Sequence, residues 1–380
     1  MPKSHLLLLG GTGFIGRNIV YYWLKEHKAE SIVVVDKVPP ELAWMNQDHR
    51  DAFNDPRVQF RSANLIIPEA CREVFDRSDG IKFDLVINCA GETRSGQSEA
   101  VYQDGILKLS LYCAREAVKR KIRFIELSSG NMNSLNRMHR ESDPVAPWTS
   151  VAKWKRRVEE ELFRIPCFEF TIIRLPIVYG RGDRTGLMPR ILEAAICKRM
   201  GKPIKQLWNS DKRISTVHVH DVTRAIFHVR ARVDTKRAIF NVVDFADSSQ
   251  GSIWNVICSM FEIRVDFTGN LMSRLKDLTK VANEANVKYM TAWAEALREE
   301  NIVNTPLCPY TDLEQLVNKH LRLDGNKLRS LGPYYMGMCV TYPRAMKLKE
   351  IVDDYVEMGL FPRALAPIQP VDDVVARRIE

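Results

Sequence analysis

The chain has 380 residues, 45% apolar and 27% charged, a composition that excludes wholesale disorder and fits one large or two modest domains. Lys+Arg 56 against Asp+Glu 47 leave a net charge of +9, with no run of like charges of the kind that marks a nucleic-acid arm. The densest cluster, Lys119, Arg120, Lys121 and Arg123, reads as the dressing of a helix end.

Eight cysteines include no Cys-x-x-Cys pair and no histidine at zinc spacing. They are expected as reduced thiols, mostly in the core, and no metal site is expected. No apolar stretch approaches the ~18 residues of a membrane span. Strand-like residues begin at His5, which leaves no room for a leader peptide ahead of them. The expected setting is cytoplasmic, without nucleic-acid or membrane partners.

Leu6-Leu7-Leu8-Leu9 is a short apolar run ending in Gly10-Gly11-Thr12-Gly13, after which Phe14–Lys25 has helical character. Residues 31–35 form a second, β-branched run closed by Asp36, and 84–88, 124–127 and 170–174 repeat the pattern. Helical spacing over 107–119 and 151–162 separates the later runs. Short buried strands alternating with helix-length segments predict βαβ units, hence an α/β fold with a doubly wound parallel sheet of Rossmann type. Beyond Gly180 come a glycine- and charge-rich loop (180–186), a predicted helix (191–200), a strand (239–243) and a polar, helical stretch (261–331). Tyr342-Pro343 and a last helix (347–358) follow. The predicted division is a nucleotide-binding domain of 1–180 and about 214–245, with a smaller, mostly helical C-terminal substrate or interaction lobe of about 181–213 and 246–380.

Gly11-x-Gly13-x-x-Gly16 overlaps Gly10-x-x-Gly13-x-x-Gly16 in one strand-to-helix turn. Glycine permits the tight turn, close approach of a pyrophosphate and helix–strand packing, and the helix N-terminus then offers N–H groups and partial positive charge. Asp36 stands twenty positions after Gly16, where a carboxylate accepts from adenosine ribose hydroxyls. Its charge repels a 2′-phosphate, so the expected cofactor is NAD, with NADP bound less well. Arg17 and Lys37 are the residues that would soften this preference.

After the glycine turn come Asn64-Leu65, Asn88-Cys89-Ala90-Gly91, Leu127-Ser128-Ser129, the Arg174-Leu175-Pro176-Ile177-Val178-Tyr179-Gly180 segment and Thr216-Val217-His218-Val219-His220-Asp221-Val222. In this order they resemble the extended short-chain dehydrogenase/reductases, the NAD-dependent epimerase/dehydratase superfamily, from Leu6 to about Val243. The resemblance implies Gly10, Gly13, Phe14, Ile15 and Gly16 at the pyrophosphate and Asn64 and Leu65 beside the adenine. It further implies Cys89, Ala90 and Gly91 lining the cofactor, Ser129 as the catalytic hydroxyl, Lys155 on the nicotinamide ribose, and Pro176 and Ile177 near the nicotinamide.

The chain departs from the family at the Tyr-x-x-x-Lys helix. With Lys155 as the lysine, Val151 occupies the tyrosine position; with Lys153, Thr149 does. Residues 151, 155, 158 and 162 share one helix face, so Lys155 is expected to reach the ribose beneath an apolar plug. Hydride transfer at a carbinol needs a proton to move at its oxygen, and valine carries none. Loss of a general acid or base typically removes about 10²–10⁴ in rate.

The substitutes in the family layout are Glu92, Thr93, Arg94, Trp154 and Tyr179, although Glu92 with Arg94 reads more simply as a surface ion pair and Tyr179 as a packing residue. Trp154 is also a candidate dimer contact. His218 and His220 are expected on opposite faces of a strand. Arg181, Asp183 and Arg184 either meet an anionic substrate or solubilise their loop, and Trp208, Trp254 and Trp293 are expected as core anchors. Two readings follow. One is a NAD(H)-binding relative with impaired or absent redox chemistry, acting as a scaffold or subunit of an assembly, homodimeric or larger. The other is an active epimerase, dehydratase or reductase on a small carbonyl or nucleotide-sugar substrate, using a substitute proton donor.

Overall fold

The computed structural model describes residues 4–77, 79–332 and 343–367; Cys339 and Tyr342 lie outside them. The chain divides into two compact units. The first contains the residues up to Pro176, Val217–Phe245 and the segment from Leu321; the second contains Ile177–Thr216, Ala246–His320 and the described residues from 343 onward.

In the first unit, strands β1 (Ser4–Leu9), β2 (Ala29–Asp36), β3 (Val58–Ser62), β4 (Leu85–Asn88), β5 (Arg123–Ser129), β6 (Phe170–Leu175) and β7 (Ala238–Asn241) form one sheet in the order β7-β6-β5-β4-β1-β2-β3. Every neighbouring pair is parallel, with Leu6 opposite Leu85 and Ile32 opposite Val58. This is the doubly wound α/β sheet, with the order reversing between β1 and β4. Its helices include α1 (Phe14–Lys25), α2 (Gln47–Phe53), α3 (Pro68–Val74), α4 (Glu99–Tyr102), α5 (Leu109–Lys119), α6 (Ser150–Arg164) and α7 (Val219–Val229), with a π-helical segment, Gln103–Lys108, joining α4 to α5.

Strand alternation sends successive side chains to opposite faces. Leu7, Leu9, Val33, Val35 and Val86 form one core with Cys71, Val74, Cys113, Ala117, Val158 and Leu162 of α3, α5 and α6. Leu6, Leu8, Ile32 and Val34 are equally buried on the other face. There α1 and α7 pack together, the Trp23 indole N–H donating to Thr223 O at 3.2 Å.

Two expectations change here. The segment from Leu321, expected in the C-terminal lobe, joins the first unit: His139 N–H donates to Arg322 O and Asp324 N–H to His139 O, both at 2.9 Å. His218 and His220 do not alternate on one strand, because the strand Thr216–His218 ends at His218, whose ring N-caps α7. His220 lies in the first turn, stacked on Tyr22 at 3.8 Å and hydrogen-bonded to Glu26 at 2.7 Å.

The second unit holds the helices Met188–Arg199, Gln250–Phe261, Leu278–Glu299 and Ala345–Glu357, and a parallel pair of short strands, Ile204–Gln206 and Val265–Phe267. Trp208, Trp254 and Trp293 are buried in it, as expected of core anchors. Among the described residues no helix is long and apolar enough to cross a membrane, and no group of three His, Cys, Asp or Glu is placed to hold a metal ion.

Candidate functional site

The glycine turn leaves β1 at the point where the strand order reverses. Gly10 has φ +73°, and a Cβ there would stand 2.5 Å from Ala90 N. A Cβ on Gly16 would lie 2.5 Å from Gly10 O, and one on Gly13 3.2 Å from the same oxygen. Gly13 is the N-cap of α1, where no side chain caps the first turn and no acidic residue sits. The first N–H groups, from Phe14 onward, therefore open a helix whose positive end has neither an N-cap side chain nor a first-turn acid. A backbone cradle that any side chain would fill, at an uncapped helix N-terminus, fits a dinucleotide pyrophosphate.

Asp36 closes β2 beside this turn. Its Oδ2 accepts from Thr12 N–H and its Oδ1 from Val38 N–H, each at 3.2 Å. Asn64 and Leu65 follow β3 and are tied to the same corner, since Ala63 N–H donates to Asp36 O at 3.1 Å. Asn64 is exposed, whereas Leu65 is buried in the core. Arg17, expected to soften a cofactor preference, is instead committed to the backbone: its buried guanidinium donates to the carbonyls of Thr12, Gly13, Ala43 and Trp44 at 2.7–3.3 Å. It fastens the glycine turn to the loop after β2. Lys37 is exposed.

Cys89, Ala90 and Gly91 lead out of β4 against the glycine turn. Burial pushes the Cys89 thiol well up, with the nearby Lys155 opposing, which favours the protonated thiol. Lys155 projects from α6 toward Gly91; a Cβ on Gly91 would be 3.7 Å from its Nζ. The ammonium is paired, 2.9 Å from Oε1 of Glu126, a fully buried residue in the middle of β5. Glu126 also accepts from Ser110 Oγ at 3.1 Å and from Asn88 Nδ2 at 2.7 Å.

One turn before Lys155, Val151 is half-buried and packs against the core cluster. In the alternative register, Thr149 is the N-cap of α6, its hydroxyl accepting from Ala152 N–H at 3.1 Å. Ser129 ends β5, where its Oγ accepts from Asn131 N–H at 3.1 Å. Pro176 follows β6, and Ile177 opens a short strand, Ile177–Tyr179, in the second unit.

Of the other candidates Thr93 is exposed, and several are committed to structure. Glu92 and Arg94 form the expected ion pair at 2.7 Å, and that guanidinium holds the Glu92 carboxyl below the usual range. Tyr179 is fully buried. Trp154 is buried within its own unit, its indole N–H on Glu99 Oε2 at 3.0 Å and the Arg157 guanidinium 4.1 Å from its ring, so it is no exposed dimer contact. Arg181 pairs with Asp354 at 2.9 Å, and the Asp183 carboxylate is enclosed by four backbone N–H groups, from Thr185 to Met188.

Residue-by-residue reading missed the buried charges. Besides Glu126, Glu159 of α6 receives Ser128 Oγ at 2.7 Å and two bonds from Arg174, at 2.9 and 2.6 Å. For Glu126 the available signal was a glutamate within the run Phe124-Ile125-Glu126-Leu127: such a group is buried only when paired.

Among known proteins, the family model for the NAD dependent epimerase/dehydratase family matches residues 6–242. A 3-ketodihydrosphingosine reductase of Dictyostelium discoideum is 26% identical over 140 residues, 31% of this chain; the chain spans 42% of that relative's length. The solved dTDP-glucose 4,6-dehydratase of Bacillus anthracis, in complex with NAD, superimposes with TM-score 0.66 at 14% identity over 95% of this chain and 99% of that one. UDP-glucuronic acid 4-epimerase of Bacillus cereus, in complex with UDP-glucuronic acid and NAD, gives 0.66 at 13% over 93% and 99%. At such identities the likeness establishes the fold. The family model, which runs from β1 through β7 and takes in the glycine turn, establishes more: the chain belongs to the NAD-dependent epimerase/dehydratase family.

Proposed function

We propose that this chain holds NAD(H) and that its redox chemistry is impaired or absent, leaving a nucleotide-bound scaffold or subunit of a larger assembly. Gly10, Gly13, Phe14, Ile15 and Gly16 would receive the pyrophosphate and Asp36 the adenosine ribose. Asn64 and Leu65 would lie by the adenine, Cys89, Ala90 and Gly91 would line the cofactor, and Pro176 and Ile177 would lie toward the nicotinamide. That the solved relatives hold NAD supports this assignment. NAD bound there would supply hydride exchange; the chain's own residues would have to move the proton.

The observation that carries the reading is on α6. Val151, i−4 to Lys155, has no ionisable atom, and the Lys155 ammonium is already neutralised by Glu126. Ser129 can polarise a carbonyl without delivering a net proton, and Glu92, held ionised by Arg94, makes a poor acid. Retention of a nucleotide without turnover is physically sensible, since a ligand at 100 times its Kd adds about 2.7 kcal/mol to folding stability.

The test is a thermal-shift titration with NAD beside a turnover assay on a panel of ketones and nucleotide sugars. The expected result is stabilisation without turnover in the wild type, and slow turnover once Val151→Tyr returns a phenol to the helix. Wild-type turnover that Val151→Tyr leaves unchanged would show the proton travelling another way and would establish an active enzyme.

A further inference from the structure

A single helical turn of the second unit, Asn270–Arg274, presents an apolar face to solvent, and the way it is mounted keeps that face outward. The Ser273 hydroxyl accepts from Trp208 N–H at 2.8 Å. Asn270 N–H donates to Asn209 Oδ1 at 3.0 Å, and Asn209 N–H returns a bond to Asn270 Oδ1 at 3.3 Å. Pinned on its inner side, the turn exposes Leu271 by 75%, Met272 by 55% and Leu275 by 75%. Their i, i+3 and i, i+4 spacing groups them on one side.

The charges flanking this face are mostly positive. Between residues 270 and 280 stand three exposed cations, Arg274, Lys276 and Lys280, against one acid, Asp277. The Asp277 carboxylate is occupied in capping the helix Leu278–Glu299, accepting from Thr279 N–H at 2.9 Å and Lys280 N–H at 3.2 Å. A second copy docked across a two-fold axis would set these same cations against one another. An anionic bilayer surface satisfies both features: leucine and methionine enter the acyl boundary while lysine and arginine remain at the headgroups.

We propose that the Leu271–Met272–Leu275 knuckle is a peripheral docking point for an anionic lipid surface. It lies on the membrane rather than spanning it, and it stands independently of whether the cofactor site turns over.

Co-sedimentation with phosphatidylcholine vesicles, with and without phosphatidylserine, tests the proposal on the full chain. Wild type is expected to pellet with the serine-containing vesicles and to be released by salt. Arg274→Glu/Lys276→Glu is expected to weaken binding by about 25-fold or more, at about fivefold per cation, and Leu271→Asp/Leu275→Asp to abolish it. Both variants should keep the wild-type melting temperature, because the side chains are exposed. Wild type left in the supernatant, or a leucine variant that pellets as well as wild type, overturns the proposal. So does a vesicle-free dimer in analytical ultracentrifugation that the leucine variant dissociates, which would identify a second copy as the occupant.

Discussion

Lys155 Nζ lies 2.9 Å from Glu126 Oε1, with both side chains buried and the carboxylate held in turn by Ser110 and Asn88. The two charges depend on each other: leaving one alone in such a place costs about 3–5 kcal/mol, whereas removing both together is far cheaper. Glu126→Gln and Lys155→Met are each expected to lose stability on that scale in denaturant unfolding. The double variant is expected to lose much less than the sum. Additive losses would show that the pair is not coupled.

The glycines near the turn are not equivalent. A Cβ on Gly16 would meet backbone at 2.5 Å, whereas one on Gly91 would meet nothing closer than 3.7 Å. Gly16→Ala is therefore expected to lose about 1–3 kcal/mol through overpacking and to abolish stabilisation by NAD. Gly91→Ala should stay within about 0.5 kcal/mol of wild type. A Gly16→Ala protein that melts normally and still responds to NAD would refute the cradle.

Much of this arrangement was legible in the sequence, and what was not has a common cause. The central strands announce themselves because both of their faces are covered, and Phe14–Lys25 came out with its observed bounds. β3 gave no apolar run: Val58-Gln59-Phe60-Arg61-Ser62 alternates at the sheet edge, where only one side faces packing. The burial of Arg17, Glu126 and Glu159 cannot be read locally, because partners elsewhere in the chain decide it. Arg17 finds the carbonyls of Ala43 and Trp44, and Glu159 finds Arg174 across α6 and β6. Local pattern records periodicity; it does not record which distant group will neutralise a charge.

Asp36 is the residue proposed to set the nucleotide preference. A carboxylate facing a 2′-phosphate at about 4 Å costs between about 1 and 4 kcal/mol, depending on the local dielectric. Arg17, consumed by four carbonyls, offers no compensation. NAD is expected to raise the melting temperature more than NADP at equal concentration, and Asp36→Ser to narrow the gap chiefly by improving NADP. Equal stabilisation of the wild type by both nucleotides would contradict the role given to this carboxylate.

The second unit carries a pH dependence of its own. Glu193 receives Tyr289 Oη at 3.1 Å and the Gln206 amide at 3.0 Å, yet burial outweighs these bonds and pushes its carboxyl from 4.5 up to about 7. The unfolded chain then loses this proton near 4.5 while the folded protein keeps it to about 7. Across that window the folded state binds more protons, so the contribution is fully present at low pH and declines as pH rises, levelling off above the folded value. Glu193→Gln keeps a neutral side chain of the same shape at every pH. Denaturant unfolding across this range is expected to show wild type losing stability relative to Glu193→Gln as pH increases. Parallel profiles for the two proteins would mean that the carboxylate ionises in the folded state as readily as in the unfolded chain.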